Sequence, residues 1–178
     1  MKRDRTRPPR IGIEAYLWGE PGTYRQSGVS RYIRSLVRGM AGTADVGQAL
    51  VYLPSADALP DLPPAAHLSG RPAGVALRRP SQRLLWEHTI FPLLLWKDRV
   101  DLLHATMNVA PWATPCPLVV TILDLAYMRY PHVHPRGRRL YLTAGTRQTV
   151  RRARAIIAIS EYTRQEVMDL LHVPGERI

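Results

Sequence analysis

Residues 117–178 read PLVVTILDLAYMRYPHVHPRGRRLYLTAGTRQTVRRARAIIAISEYTRQEVMDLLHVPGERI, and this stretch decides the fold class. The run 117–123 is apolar, long enough for a strand buried on both faces and far too short for a membrane span. It gives way to polar Asp124, where a strand would meet its loop. A basic stretch compatible with a helix follows, then a second apolar strand over 155–159. Ser160 is a good N-cap for one more helix, with Glu161 in its first turn. Strand, crossover helix, strand and helix mark an α/β domain with a parallel sheet.

Upstream, Ile11, Ile13, Ala15 and Leu17 alternate through 11–18 as a first strand. Residues 19–28 form a polar loop with Pro21, Gly22, Ser27 and Gly28. Val29, Tyr32, Ile33, Leu36, Val37 and Met40 then fall on one helical stripe, with Arg31, Arg34 and Arg38 off it and Gly42 at its end. A second strand is expected at 49–53. Five prolines in 54–74 make that segment a loop with at most a short strand at 66–68. Another short strand is expected at 75–77. A helix is expected over 81–96, broken or kinked by Pro92, and a compact strand at 101–105. Residues 1–10 form a basic, proline-bearing tail, expected to be mobile.

A chain of 178 residues suits one core rather than two, and 46% apolar against 22% charged content argues against disorder. The lone Cys116 excludes an internal disulfide and fits a reducing cytosol. The amino terminus lacks the apolar region of a secretory leader, and the most apolar window, 89–96, is short and interrupted by Pro92. A cytoplasmic protein without a membrane-spanning helix is therefore expected.

The net charge is +11, and all but Lys2 and Lys97 of the 25 basic residues are arginines. They cluster at Arg3, Arg5, Arg7 and Arg10 and again over 136–154. Such patches attract phosphate on nucleic acid, on an anionic membrane or on a phosphorylated substrate; a plain solvated face is the other reading. No nucleic-acid motif or stacking platform accompanies the charge, so no nucleic-acid partner is expected. Neither GxGxxG nor GxxxxGK[ST] occurs. His132 and His134 stand two apart without a carboxylate or cysteine beside them, so no metal site is expected.

Five segments resemble the amino-terminal, acceptor-side domain of family-4 glycosyltransferases of the GT-B fold. They are SGVSRYIRSLVRGM (27–40), RLLWEHTIFPLLL (83–95), TILDLAYMRYP (121–131), RRARAIIAISEYTRQEV (151–167) and HVPGERI (172–178). The resemblance implies a Rossmann-like parallel sheet flanked by helices over 11–178, one half of a GT-B fold. In such enzymes a sugar passes, with retention of configuration, from a nucleotide-diphosphate sugar to an acceptor hydroxyl. A paired-glutamate motif belongs to a second, carboxyl-terminal donor-binding domain. The chain then reads as a truncated enzyme of glycan biosynthesis, inactive alone and dependent on a donor-binding domain or subunit. No cofactor or dedicated metal motif is implied, the donor being a substrate. The acceptor would be a sugar, a lipid-linked glycan or a polysaccharide. Trp86, Phe91 and Trp96, near the arginines at 78, 79, 83 and 99, also allow peripheral attachment to an anionic membrane at its inner face, or else belong to the core.

Open α/β sheets bind ligands at the carboxyl ends of their strands, and four loops there are candidates. Ser27 and Gly28 precede the first helix, as a simple cap or, as the resemblance implies, beside the donor diphosphate. His104 and Asn108 follow 101–105, where an acceptor hydroxyl can be held or where both serve structure. Glu87 is expected as a structural hydrogen-bonding partner. Asp124 and Tyr127 follow 117–123, with Asp124 as candidate catalytic residue or as cap of the following turn. Relatives commonly carry histidine-aspartate there, whereas this chain has Leu123, which cannot exchange a proton. Ser160 and Glu161 satisfy helix-end chemistry by themselves. Two alternatives stay open: a non-catalytic binding module or split subunit pairing with a separate donor domain, and a different Rossmann-like domain that binds a phosphorylated ligand.

Overall fold

The computed structural model describes residues 7–19, 28–43, 47–74 and 80–178. Six parallel strands make one sheet in the order β3-β2-β1-β4-β5-β6. They are β1 (Arg10–Glu14), β2 (Gln48–Leu53), β3 (Leu68–Pro72), β4 (Leu102–Ala105), β5 (Leu118–Ile122) and β6 (Ala155–Ala158). Helices α1 (Gly28–Ala41), α2 (Pro80–Lys97), α3 (Ala126–Arg129), α4 (Arg136–Arg152) and α5 (Glu161–Leu171) lie between and after them. This is an α/β Rossmann-like domain, as expected.

Period-two alternation sorts the strands onto two cores. Ile13, Val51 and Leu53 meet α1 through Ile33 and Val37. Leu50, Tyr52, Leu103, Val120, Ile122 and Ile156 face the other way, against Trp86, Phe91 and Leu95 of α2 and Val150 of α4. Each fully buried side chain of this size contributes about 1.5–3 kcal/mol. Gly12 sits at the tightest point of the second layer. A Cβ there would lie 3.1 Å from Val100, 3.2 Å from Tyr52 and 3.3 Å from Leu95, so glycine lets α2 press onto β1.

Several boundaries differ from the sequence reading. β1 ends at Glu14 rather than at residue 18, because the chain leaves the sheet into a turn after Ala15 bonds Tyr52 O. The loop expected over 54–74 contains β3, paired with β2 from Ala49–Leu68 to Leu53–Pro72. Gly70 and Pro72 hid it, and both are tolerated because β3 is an edge strand. Helix α2 runs unbroken through Pro92, its inner face held by Trp86, Phe91 and Leu95. Part of the expected tail is pinned: Arg7 donates to Asp101 at 2.9 and 3.1 Å, and Arg10 N to the same carboxylate at 2.9 Å. Residues 1–6, Ser27, the strand expected at 75–77 and Arg78 and Arg79 lie outside the described residues. Among the described residues no helix is long and apolar enough to cross a membrane.

Candidate functional site

A cleft of about 240 Å³ opens at the carboxyl ends of the central strands. Val29 of α1, Arg83 and Glu87 of α2, the loop 107–109, Leu123, Asp124 and Tyr127, and His134, Arg138 and Tyr141 all contribute to its wall. A second hollow of about 200 Å³ lies between α4 and the end of α5, away from the strand ends where such sheets bind ligands.

Asn108 ties the loops after β4 and β5 together. Its Oδ1 accepts from Leu123 N at 3.0 Å, and its Nδ2 donates to Asp124 O at 2.7 Å and to Tyr127 Oη at 3.0 Å. Tyr127 is buried and shares a 2.7 Å hydrogen bond with Thr146 of α4. Burial raises its phenol above the ordinary range, so it stays neutral. Gly145 lets α4 approach the loop after β4, since a Cβ there would sit 2.9 Å from Val109. Asp124 Oδ1 accepts from Ala126 N at 3.1 Å, so the carboxylate caps α3 while also lining the cleft.

His104 lies elsewhere. Leu103 and Ala105 face the α2 core, so alternation turns His104 toward α1. There its Nε2 meets Thr121 Oγ1 at 2.8 Å, and Thr121 meets Tyr32 Oη at 2.7 Å. Burial lowers the imidazole to about pKa 4, so it is neutral. This chain braces β4, β5 and α1 and does not line the cleft. Gly28 begins α1, and no atom of the described residues lies within 4 Å of a Cβ built on it. Ser160 caps α5 by accepting from Thr163 N at 3.1 Å, and Glu161 pairs with Arg164 at 3.0 Å.

The sequence reading missed a buried carboxyl pair, Glu14 and Glu87, of which Glu87 lines the cleft. Glu14, the last residue of β1, is fully buried, and neither carboxyl oxygen has a hydrogen-bond partner among the described residues. Glu87 lines the cleft at 3% exposure. Burial raises Glu87 to about pKa 7, opposed by the Arg83 guanidinium. Burial and the Glu87 charge raise Glu14 well above the usual carboxyl range, again opposed by Arg83. Two buried carboxyls therefore face one cation. The signal was a charged residue closing an apolar strand, IGIE (11–14), but its partner lies far along the chain.

No curated protein matches this chain. The sequence model of Glycosyltransferase Family 4 matches residues 26–178, from the residue two before α1 to the last residue. That span covers the cleft loops, the parallel sheet from β2 onward and all five helices. The chain belongs to Glycosyltransferase Family 4.

Proposed function

We propose that this domain is the acceptor-binding half of a GT-B glycosyltransferase. It presents an acceptor hydroxyl to a nucleotide-diphosphate sugar held by a carboxyl-terminal donor-binding domain or subunit, and the sugar is transferred with retention of configuration. The observation that supports this best is the cleft at the strand ends, where Asp124 and Glu87 line a pocket stitched together by Asn108 and Tyr127. A sugar hydroxyl is a hydrogen-bond donor, and these carboxyl groups are the acceptors it would meet. Asp124 keeps Oδ2 available while Oδ1 caps α3, and in this reading it orients the reacting hydroxyl. Asn108 and Tyr127 fix the loop that carries it. His104 supports the same loops from the far side of the sheet.

Ser27 and Gly28 would stand beside the donor diphosphate, with the open start of α1 supplying backbone N–H groups. Tyr130, Val133, Ile159 and Tyr162 are exposed around the ends of β5 and β6, which suits an interdomain contact. The domain alone lacks a second wall of donors for the leaving diphosphate, so the isolated chain is expected to transfer no sugar.

The test is incubation of the purified chain with UDP-, GDP- and ADP-linked hexoses and a mixed glycan and lipid acceptor extract. The same assay is repeated after fusion to the donor-binding domain of a family member. No transfer alone and transfer by the fusion, lost in Asp124→Ala, is the expected result. Transfer by the chain alone removes the need for a donor half. A fusion that binds nucleotide-sugar yet glycosylates nothing removes the acceptor role. In the active fusion, Leu123→His that does not reduce transfer would mark Leu123 as a decayed position. A steep loss would make the leucine part of a working acceptor pocket.

A further inference from the structure

Helix α2 has two apolar faces. Trp86, Phe91 and Leu95 point into the core, where Trp86 and Phe91 stack at 5.5 Å and Tyr16 meets both edge-on. On the outside, Leu85, Thr89, Leu93 and Trp96 follow helical spacing as one stripe. Leu85 is 67% exposed, Leu93 62% and Trp96 64%, and Ile90 lies beside them. Trp112 and Leu140 extend this surface toward α4: Trp112 stacks on His88 at 4.3 Å, and Tyr141, next to Leu140, reaches His88 at 3.4 Å.

The charge on this face has one sign. α4 contains no acidic residue, and its outer row exposes Arg136, Arg147 and Arg151. The only acid within α2 is Glu87, which is buried in the cleft wall. Lys97 and Arg99 are exposed at the end of α2. Asp98, between them, is engaged by Tyr52 at 2.9 Å and Arg71 at 3.6 Å.

We propose that the outer faces of α2 and α4 form a docking surface for an anionic lipid bilayer. Exposed tryptophans and leucines flanked by arginines insert to headgroup depth while the basic rim meets lipid phosphates. A second copy of this chain fits poorly, because it would bring one arginine-bearing α4 against another. The inference does not rest on the transferase reading.

The test is co-sedimentation of the 178-residue chain with vesicles of phosphatidylcholine alone and of phosphatidylcholine mixed with phosphatidylglycerol, at low and raised salt. Binding to the anionic vesicles that weakens with salt is expected. The pair Leu93→Glu with Trp96→Glu, and separately Arg147→Glu with Arg151→Glu, should each weaken it roughly tenfold or more. These side chains are exposed, and unchanged thermal melting verifies that the variants fold. No binding to anionic vesicles, or binding that neither pair alters, overturns the proposal. Lipid-independent self-association abolished by Leu93→Glu with Trp96→Glu would also overturn it, by assigning the face to a second copy.

Discussion

Helices α1 and α2 cover opposite faces of the same sheet, yet they solve different problems. α1 is one-sided: Ile33 and Val37 are buried, while Arg31 and Arg38 face outward. Arg34, at its edge, is tied down by Asp61 at 3.0 Å and stacks over Trp18 at 4.6 Å. α2 buries Phe91 and Leu95 as deeply, but its outer row is Leu85, Leu93 and Trp96. A helix with a single neighbour needs one apolar stripe. The second stripe on α2 therefore serves something other than this fold, and the comparison can be attacked at three points.

The largest effect should come from the inner row. Phe91 is fully buried and touches the rings of Tyr16, Tyr52 and Trp86. Phe91→Ala should lower stability by about 3–5 kcal/mol in chemical denaturation. Leu93→Ala, two residues away, should stay within about 0.5 kcal/mol. Similar losses at both positions would mean that α2 is not two-sided in solution.

The next effect concerns pH, and it belongs to α2 through Glu87. In the fold this carboxyl is raised from 4.5 to about 7. The unfolded chain ionises it first, so the native state loses stability as pH rises from about 4.5 to about 7. A shift of this size is worth on the order of 3 kcal/mol. Glu87→Gln removes that loss, so its stability relative to the wild type should grow across the window and level off above it. Urea melts at acid, neutral and mildly alkaline pH will show this. Parallel profiles for the two proteins would mean that Glu87 is not held protonated.

The smallest effect tests whether location matters beyond net charge. Arg31→Glu with Arg38→Glu, on α1, changes the charge by as much as the α4 pair but lies on the other face of the sheet. Vesicle binding should drop only slightly, through long-range attraction that salt screens. A drop equal to that of Arg147→Glu with Arg151→Glu would reduce docking to general attraction.

Much of this was legible in the sequence because the deciding signals are local. The strands at 49–53, 101–105, 117–123 and 155–159 stand out as apolar runs, and α1 shows a clean stripe. Asn108, Asp124 and Tyr127 were visible as polar groups just past such runs. β3 was not, because an edge strand tolerates the Gly70 and Pro72 that normally signal a loop. Outer and inner rows of α2 could not be told apart, since both are apolar and only the sheet's position distinguishes them. The Glu14–Glu87 pair was hidden for a topological reason: β1 and α2 are distant in sequence and meet only once β1 takes the centre of the sheet. The position of His104 was readable in principle, because Leu103 and Ala105 on one face force it to the other.

That central placement of β1 also sets an order in time. Arg10 and Asp101, at the start of the β1–β4 seam, are 91 positions apart. Closing so long a loop costs entropy before any contact forms to offset it. Within each half of the sheet the paired strands are much closer in sequence, β1 with β2, β4 with β5 and β5 with β6. During refolding, amides within these pairs should therefore gain protection from hydrogen exchange before those that join β1 to β4, as pulse labelling can resolve. Simultaneous protection would indicate that the seam forms in the first step. If the expected order holds, the cleft is completed last, because its wall joins Val29 of α1 to the loops after β4 and β5 across that seam.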